Sequence, residues 1–301
     1  MHVLVTGGTG FIGRSLCVEL LRSRHSVTVL TRDVRKAVLL PFGTRVVNAL
    51  ERIDSAEPIG GIINLAGENL ADGRWNAERK LELVDSRVQS TRRMLAYIAN
   101  CKVKPQVLIS ASAIGWYGAR GDEPLTESST SGKFDEFQAQ LCRAWEAEAR
   151  TAEKMGTRVC IVRTGIVLER DGGPLEKMLP AFRLGLGGRF GNGRQWMSWI
   201  HREDMVAILV WLLEHPDARG IWNATAPVPV TNAEFARDLG ATLQRRALLP
   251  MPGWLLRLLI GGMAELLLTG QKVLPLRLQE GEFLFRHPRL PGALANIFRQ
   301  S

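Results

Sequence analysis

The sequence predicts an α/β fold built on a doubly wound parallel sheet, followed by a smaller and mostly helical region. Three observations predict it. Short apolar runs alternate with longer amphipathic segments, a glycine-punctuated turn separates the first run from the first such segment, and the rhythm breaks after Thr164.

The apolar runs at residues 3–5, 27–30, 46–47, 62–65, 107–109 and 159–162 are continuous rather than alternating, as expected of strands covered on both faces. Between the fourth and fifth runs, Leu81, Val84, Val88, Leu95 and Ile98 recur at helical spacing and predict one long helix over about residues 75–100. Beyond Thr164, glycine-rich loops at 185–193 interrupt the pattern and a helix starts near Glu203. Thr231 with Glu234 forms a capping-box signature for a helix reaching about Leu243. Pro250 and Pro252 then lead into a Leu-rich end.

The 301 residues, 46% apolar and 23% charged, suffice for a sizeable core and exclude a disordered chain. Cys17, Cys101, Cys142 and Cys160 are scattered without a CxxC pair. They read as buried thiols in a reducing, cytoplasmic setting rather than as a disulfide framework or zinc site, and no metal is expected. The chain runs directly into a strand, so no leader segment is expected. Residues 254–268 are apolar but carry Arg257 and Glu265 and are too short to cross a bilayer. They read as a buried or partner-facing helix, and Trp211, Trp222 and Trp254 read as core. The formal charge of +9 comes from basic residues mixed with acids, without a dense basic run. That pattern suits a surface biased towards small anionic ligands and argues against nucleic acid or a membrane as partner.

The chemistry starts at Thr6-Gly7-Gly8-Thr9-Gly10-Phe11-Ile12-Gly13. Gly7 permits a tight turn, Gly10 lets a pyrophosphate approach the backbone, and Gly13 lets helix pack closely on strand. Free N–H groups around Thr9, Gly10, Phe11, Ile12 and Gly13 supply donors and positive potential for the phosphates. In a strand–loop–helix setting this is the signature of the NAD(P)-binding Rossmann fold. The second strand ends Thr31-Arg32, where NAD sites usually carry an acid. A guanidinium there grips a 2′-phosphate, so the expected cofactor is NADP(H). The alternative makes Arg32 an exposed loop cation, and Asp33 reads as a turn or helix cap. Leu65, Ala66 and Gly67 close the fourth strand with small residues over which a cofactor can pass, and Val167 is assigned to the same site. Glu82 and Arg87, on the long helix, either face the cofactor or belong to a solvated face.

Taken together, Thr6–Gly13, residues 64–68 with Arg74-Trp75, Ser86-Arg87, residues 110–118, Trp145-Glu146, 163–165, and Trp199-Ile200-His201 with Asp204 resemble the extended short-chain dehydrogenase/reductase superfamily of nucleotide-sugar epimerases. Within it the chain is most similar to the atypical, YfcH-type epimerase-like branch, whose small C-terminal module Gly270-Gln271-Lys272 with Pro275 resembles. The resemblance spans essentially the whole chain. It implies hydride exchange between a nicotinamide and a sugar or other carbonyl carbon, with a Tyr-x-x-x-Lys pair moving the proton and a serine, here Ser112, steadying the oxyanion.

The Tyr-Lys pair can be checked by inspection, because the chain has only two tyrosines. Cys101 stands four residues after Tyr97 and Gly121 four after Tyr117. Counting back from Glu146, the two positions fall on Gln138 and Cys142. Neither side chain is a proton donor tuned by a paired cation. Tyr117 remains as the tyrosine near the cleft, and it needs a cationic neighbour such as Arg163 to work near neutrality; the other reading is structural packing. Arg189, Arg194 and Gln195 resemble the loop that receives the substrate's nucleotide, with Trp196 able to stack on a ring, or else form an ordinary surface loop. His201 with Asp204 reads as a capping or packing pair.

The expected division is an NADP-binding domain over 1–165, to which 203–225 returns, and a substrate-binding region over 166–301 that includes a small module at 249–301. The expected function is that of an NADP(H)-binding oxidoreductase or epimerase-like isomerase acting on a small molecule, a nucleotide sugar or another carbonyl compound. A non-catalytic NADPH sensor or regulator is the alternative, and a homodimer through two long helices is compatible with either.

Overall fold

The computed structural model describes residues 1–70, 72–247 and 249–299. Its strands through the first half are β1 (His2–Thr6), β2 (Ser26–Leu30), β3 (Arg45–Val47), β4 (Gly61–Asn64), β5 (Val107–Ala113), β6 (Pro124–Leu125) and β7 (Arg158–Thr164). Then come β8 (Ile166–Leu168), β9 (Trp196–Met197), β10 (Trp199–His201), β11 (Gly220–Ala224), β12 (Val230–Thr231) and β13 (Lys272–Val273). The helices begin with α1 (Phe11–Arg22), α2 (Ala77–Asn100), α3 (Phe137–Arg150), α4 (Gly173–Arg183) and α5 (Arg202–Glu214). They continue with α6 (Asn232–Thr242), α7 (Gly253–Ile260), α8 (Ala264–Leu268), α9 (Leu276–Glu280) and α10 (Leu290–Arg299).

Seven strands form one parallel sheet in the order β11-β7-β5-β4-β1-β2-β3. All six strands expected from the apolar runs are present. The seventh, β11, brings the chain back to the sheet edge after α5. The strand order reverses between β1 and β4, and a crevice beyond their carboxyl ends is where doubly wound sheets take ligands. The continuous apolar runs are explained by burial on both faces. Val3, Val5, Val29, Ile63 and Ile109 pack with α1 and α5, whereas Leu4, Ile62, Leu108 and Ile161 pack on the opposite side with α2. Asn76 caps α2 by accepting the N–H of Arg79 at 2.7 Å, so the helix starts two residues later than its periodicity implies.

The C-terminal region has its own core, in which Leu175, Leu179, Phe182, Phe235, Leu239 and Leu294 meet. The capping box is formed as expected: Thr231 N–H donates to Glu234 Oε2 at 2.7 Å while Thr231 Oγ1 receives the Glu234 N–H. Two expectations need correction. Residues 254–268 are not one buried helix but α7 and α8, broken where Gly261 takes φ +61°. Trp254 is 67% exposed rather than core. A short helix has only one face to bury, and α7 spends that face on Leu256.

The C-terminal segment is tied to the sheet domain by Asp204, which is fully buried at the start of α5. Its two carboxylate oxygens accept the N–H groups of Arg286 and His287 at 2.8 and 2.9 Å. Replacing Asp204 with alanine leaves two inward-facing N–H groups without an acceptor. The expected loss is about 2–5 kcal/mol of unfolding free energy, read from urea denaturation against the unmodified protein.

Candidate cofactor cleft and catalytic end of the sheet

The glycine turn follows from steric necessity. Gly7 sits at φ +69°, and a Cβ there would lie 2.7 Å from the Leu65 carbonyl oxygen, where the loops after β1 and β4 touch. A Cβ on Gly13 would run into the Gly7 carbonyl oxygen and the Gly8 Cα. Helix α1 therefore rises directly from the turn, with Gly10 at its N-cap, no side-chain cap and no acid in its first turn. The first N–H groups of a helix have no partner within it, so Phe11, Ile12 and Gly13 present donors at the positive end of the dipole.

A buried polar chain positions the facing loop. Thr6 Oγ1 donates to Asn64 Oδ1 at 2.6 Å, Asn64 Nδ2 donates to Thr91 Oγ1 at 3.1 Å, and the Ala66 N–H returns to Thr6 Oγ1 at 3.2 Å. Arg87 lies under the same loop. Its Nη2 donates to the Glu68 carbonyl at 2.9 Å and its Nη1 to the Leu83 carbonyl at 2.9 Å, and burial lowers its pKa to about 10. Arg87 therefore supports Gly67 and Glu68 from beneath. Glu82 projects from the exposed side of α2 and pairs with Arg79 at 2.8 Å. That is the solvated-face alternative of the two readings weighed for it.

At the tip of β2, Thr31 is buried and Arg32 reaches outward with its side chain 88% exposed. Arg32 Nη2 donates to Glu68 Oε1 at 2.8 Å, joining the loop after β2 to the loop after β4. Nothing in the sequence signals this pair, since its members lie far apart in the chain. Asp33 caps the turn that follows by accepting the Arg35 N–H, and it also holds the Arg35 guanidinium. On the other side, Phe11 lies under Gly172 and Gly173, and Val167 pairs with Ile200 in the adjoining two-stranded sheet.

The carboxyl ends of β5 and β7 are dominated by one buried ion pair. Arg163 at the end of β7 donates through Nε and Nη2 to the two carboxylate oxygens of Glu146 on α3, at 2.8 and 2.9 Å, with both side chains 1% exposed. Ser112 Oγ donates to the same Glu146 Oε1 at 2.7 Å. The guanidinium also lies 4.0 Å from the ring centre of Trp116 and 4.9 Å from that of Tyr117. Tyr117 is fully buried, and its hydroxyl donates to Asn223 Oδ1 at 2.7 Å. Burial raises its pKa more than Arg163 lowers it. The cationic neighbour required of a working tyrosine is present, but the low pKa it would have to produce is not.

On α3, Gln138 packs against Gly115, and the Cys142 thiol lies 3.5 Å from the Ala113 carbonyl. Burial pushes the Cys142 pKa up to about 11, so the thiol stays protonated. In the loop after α4, Gln195 Nε2 is spent on the carbonyls of Phe190 and Leu267 at 3.1 and 2.7 Å. Arg189 and Arg194 are exposed. Trp196 donates to Asp122 at 2.7 Å and carries Lys272 over its ring, so that face is already covered. His201 caps α5 by accepting the Glu203 N–H at Nδ1, 3.1 Å away. Burial lowers its pKa to about 4. Among the described residues, His201, Glu203 and His287 bring their ligand atoms within 4.8 Å of one another. The His201 Nδ1 lone pair is already used by a backbone N–H, which leaves the proton on Nε2.

The sequence model of the NAD dependent epimerase/dehydratase family matches residues 3–224, from β1 through β11. The chain belongs to this family. A domain of unknown function, DUF1731, matches residues 251–297, so this epimerase-family chain carries a second recognised module at its C-terminal end. It is 39% identical over 306 residues to the chloroplastic epimerase family protein SDR39U1 homologue of Arabidopsis thaliana, covering 99% of this chain and 87% of that one. The crystal structure of human epimerase family protein SDR39U1 with NADPH superposes with a TM-score of 0.89 at 35% identity, over 100% of both chains. The nucleoside-diphosphate sugar epimerase of Corynebacterium glutamicum gives 0.76 at 32% identity, over 98% of this chain and 57% of that one. The atypical, epimerase-like resemblance read from the motifs therefore stands. Among the described residues no helix is long and apolar enough to cross a membrane.

The buried pair makes a sharp stability prediction. Replacing Glu146 with alanine strands a guanidinium in the interior, and the expected cost is about 3–5 kcal/mol. Ser112→Ala, which removes a single hydrogen bond to a charged group, is expected to cost about 1.5–3 kcal/mol. Guanidinium chloride unfolding of the two variants and the parent measures both.

Proposed function

We propose that this epimerase-family chain binds NADP(H) across the crevice between β1 and β4. The observation that carries the proposal is the glycine turn, in which Gly7 and Gly13 exclude side chains and leave the uncapped end of α1 open to a pyrophosphate. The residues fit the group in charge as well as in space. Arg32 stands at the tip of β2 with most of its side chain in solvent, where a 2′-phosphate can take its guanidinium. Glu68 already occupies one edge of that guanidinium, so the phosphate shares or displaces a carboxylate on a residue whose backbone is held by Arg87 and Ser86. The human relative solved with NADPH supports the choice of cofactor.

When bound, the nicotinamide supplies hydride transfer to or from a carbonyl carbon of a small molecule, and the Corynebacterium relative supports a nucleotide sugar as its class. The reading is of an oxidoreductase or epimerase-like enzyme that works without the Tyr-x-x-x-Lys couple. Gln138 and Cys142 stand where that couple is expected. With the Ser112 proton given to Glu146, the lone pairs of its oxygen are free to accept, and the site as built orients a substrate hydroxyl rather than donating to a carbonyl. Arg189 and Arg194 supply exposed positive charge for the anionic part of a substrate.

One observation favours a second reading, a protein that senses NADPH without turning it over. Tyr117 and Ser112 both have their protons committed to buried acceptors.

Arg32→Ala separates the cofactor question from the catalytic one. It is expected to weaken NADPH binding by about 10- to 100-fold, the worth of a charge-assisted hydrogen bond, and to leave NADH affinity within about twofold. Calorimetry on both nucleotides measures this, and equal affinities in the parent protein overturn the phosphate role. Turnover is decided by following NADPH absorbance with a panel of carbonyl compounds and nucleotide sugars, together with product analysis for epimerisation. Binding without any turnover would favour the sensor.

A further inference from the structure

Among the described residues, helix α7 has almost no cover. It reads Gly-Trp-Leu-Leu-Arg-Leu-Leu-Ile, yet only Leu256 of its 8 residues is buried. Trp254, Leu258 and Leu259 are each more than half exposed. A helix that meets water on one side normally shows polar residues there, and one that is apolar all round is normally enclosed. The apolar surface continues onto the neighbouring segments, where Leu184, Leu186 and Leu249 are also more than half exposed. The Met251 N–H bonds the Arg189 carbonyl at 2.8 Å and the Gly191 N–H bonds the Met251 carbonyl at 2.9 Å. Arg245 Nε reaches the Arg183 carbonyl at 3.1 Å, so residues 183–191 and 245–253 lie side by side.

The charge around this apolar surface has one sign. Averaged along the chain the cations are mixed with acids, but residues 177–202 and 239–264 contain no Asp or Glu, and the fold brings these two stretches together. Arg183, Arg245 and Arg246 are exposed and, among the described residues, pair with no acid. Arg257 is paired with Glu265 at 2.9 Å. Exposed leucines and a tryptophan bordered by arginines are the composition of a helix that lies in a membrane interface. There apolar side chains enter the boundary between headgroups and acyl chains, tryptophan favours that boundary, and cations meet anionic headgroups. Two other occupants fit less well. A two-fold dimer through this face would set the same arginines against each other. A protein partner is held in register by hydrogen bonds, and between Arg246 and Ile260 only Trp254 and Arg257 have side chains able to donate one.

We propose that α7 and the loops beside it dock this chain on an anionic lipid surface. Trp254, Leu258 and Leu259 enter the interfacial region, and Arg183, Arg245 and Arg246 lie against the headgroups. With 8 residues α7 is too short to span a bilayer, so the attachment is peripheral and weakens with salt. None of these residues belongs to the glycine turn or the tip of β2, so the surface is independent of the cofactor.

The test is co-sedimentation of the full chain with vesicles of equal parts phosphatidylcholine and phosphatidylglycerol, against vesicles of phosphatidylcholine alone. Binding to the anionic vesicles is expected, weakening as salt rises. The Arg245→Ala/Arg246→Ala double variant is expected to weaken it at least about tenfold while leaving the melting temperature unchanged. Brominated lipid is expected to quench the tryptophan emission of the bound protein, and to quench less of it in Trp254→Phe. Absence of binding to anionic vesicles, equal binding to phosphatidylcholine alone, or binding insensitive to the double variant overturns the proposal. So does quenching that Trp254→Phe leaves unchanged, a readout that still decides if the double variant does not fold. A dimer in sedimentation velocity that Leu258→Glu splits would give the face to a second copy and likewise overturn the lipid assignment.

Discussion

The ion pair between Glu146 and Arg163 governs the functional end of this protein. Two opposite charges with both side chains 1% exposed are tolerable in an interior only when they are closely paired and further satisfied by their surroundings. Ser112 from β5 donates to the carboxylate, and Trp116 and Tyr117 place their rings beside the guanidinium, whose Nη1 makes no hydrogen bond among the described residues. Strands β5 and β7 and helix α3 are thus held in one register at the carboxyl end of the sheet. The same arrangement sets the chemistry available there, because it decides which protons are already given away.

The cofactor end is built on the opposite principle, the absence of side chains. Gly7 and Gly13 bring two loops and a helix within van der Waals distance, and the space a side chain would fill is left to backbone donors. At the tip of β2, Arg32 is steadied by Glu68 from across the crevice. The C-terminal module is anchored independently by Asp204, so it shares with the sheet a buried polar joint rather than an apolar seam alone.

Much of this was legible beforehand, for identifiable reasons. Apolar runs such as residues 62–65 and 159–162 can be satisfied only by strands covered on both faces, and the glycines at 7, 10 and 13 have little use outside a phosphate turn. The helix starts at Asn76 and Thr231 obey local capping chemistry. The residues that were misread, or read two ways, depend on what lies across space. Trp254 looked like core because a sequence shows hydrophobicity but not which face is covered. Glu82 and Arg87 occupy the same helix, yet only the tertiary packing turns one outward to Arg79 and the other under Gly67.

The sequence by itself determined the doubly wound sheet and the phosphate turn, because these are set by periodicity and by glycine. Only the tertiary structure decided what Ser112, Tyr117 and Arg32 are bonded to. The physical reason is common to all of these. A proton or a charge is spent on whichever partner the fold brings within about 3 Å, and partners distant in the chain leave no local trace in the order of residues.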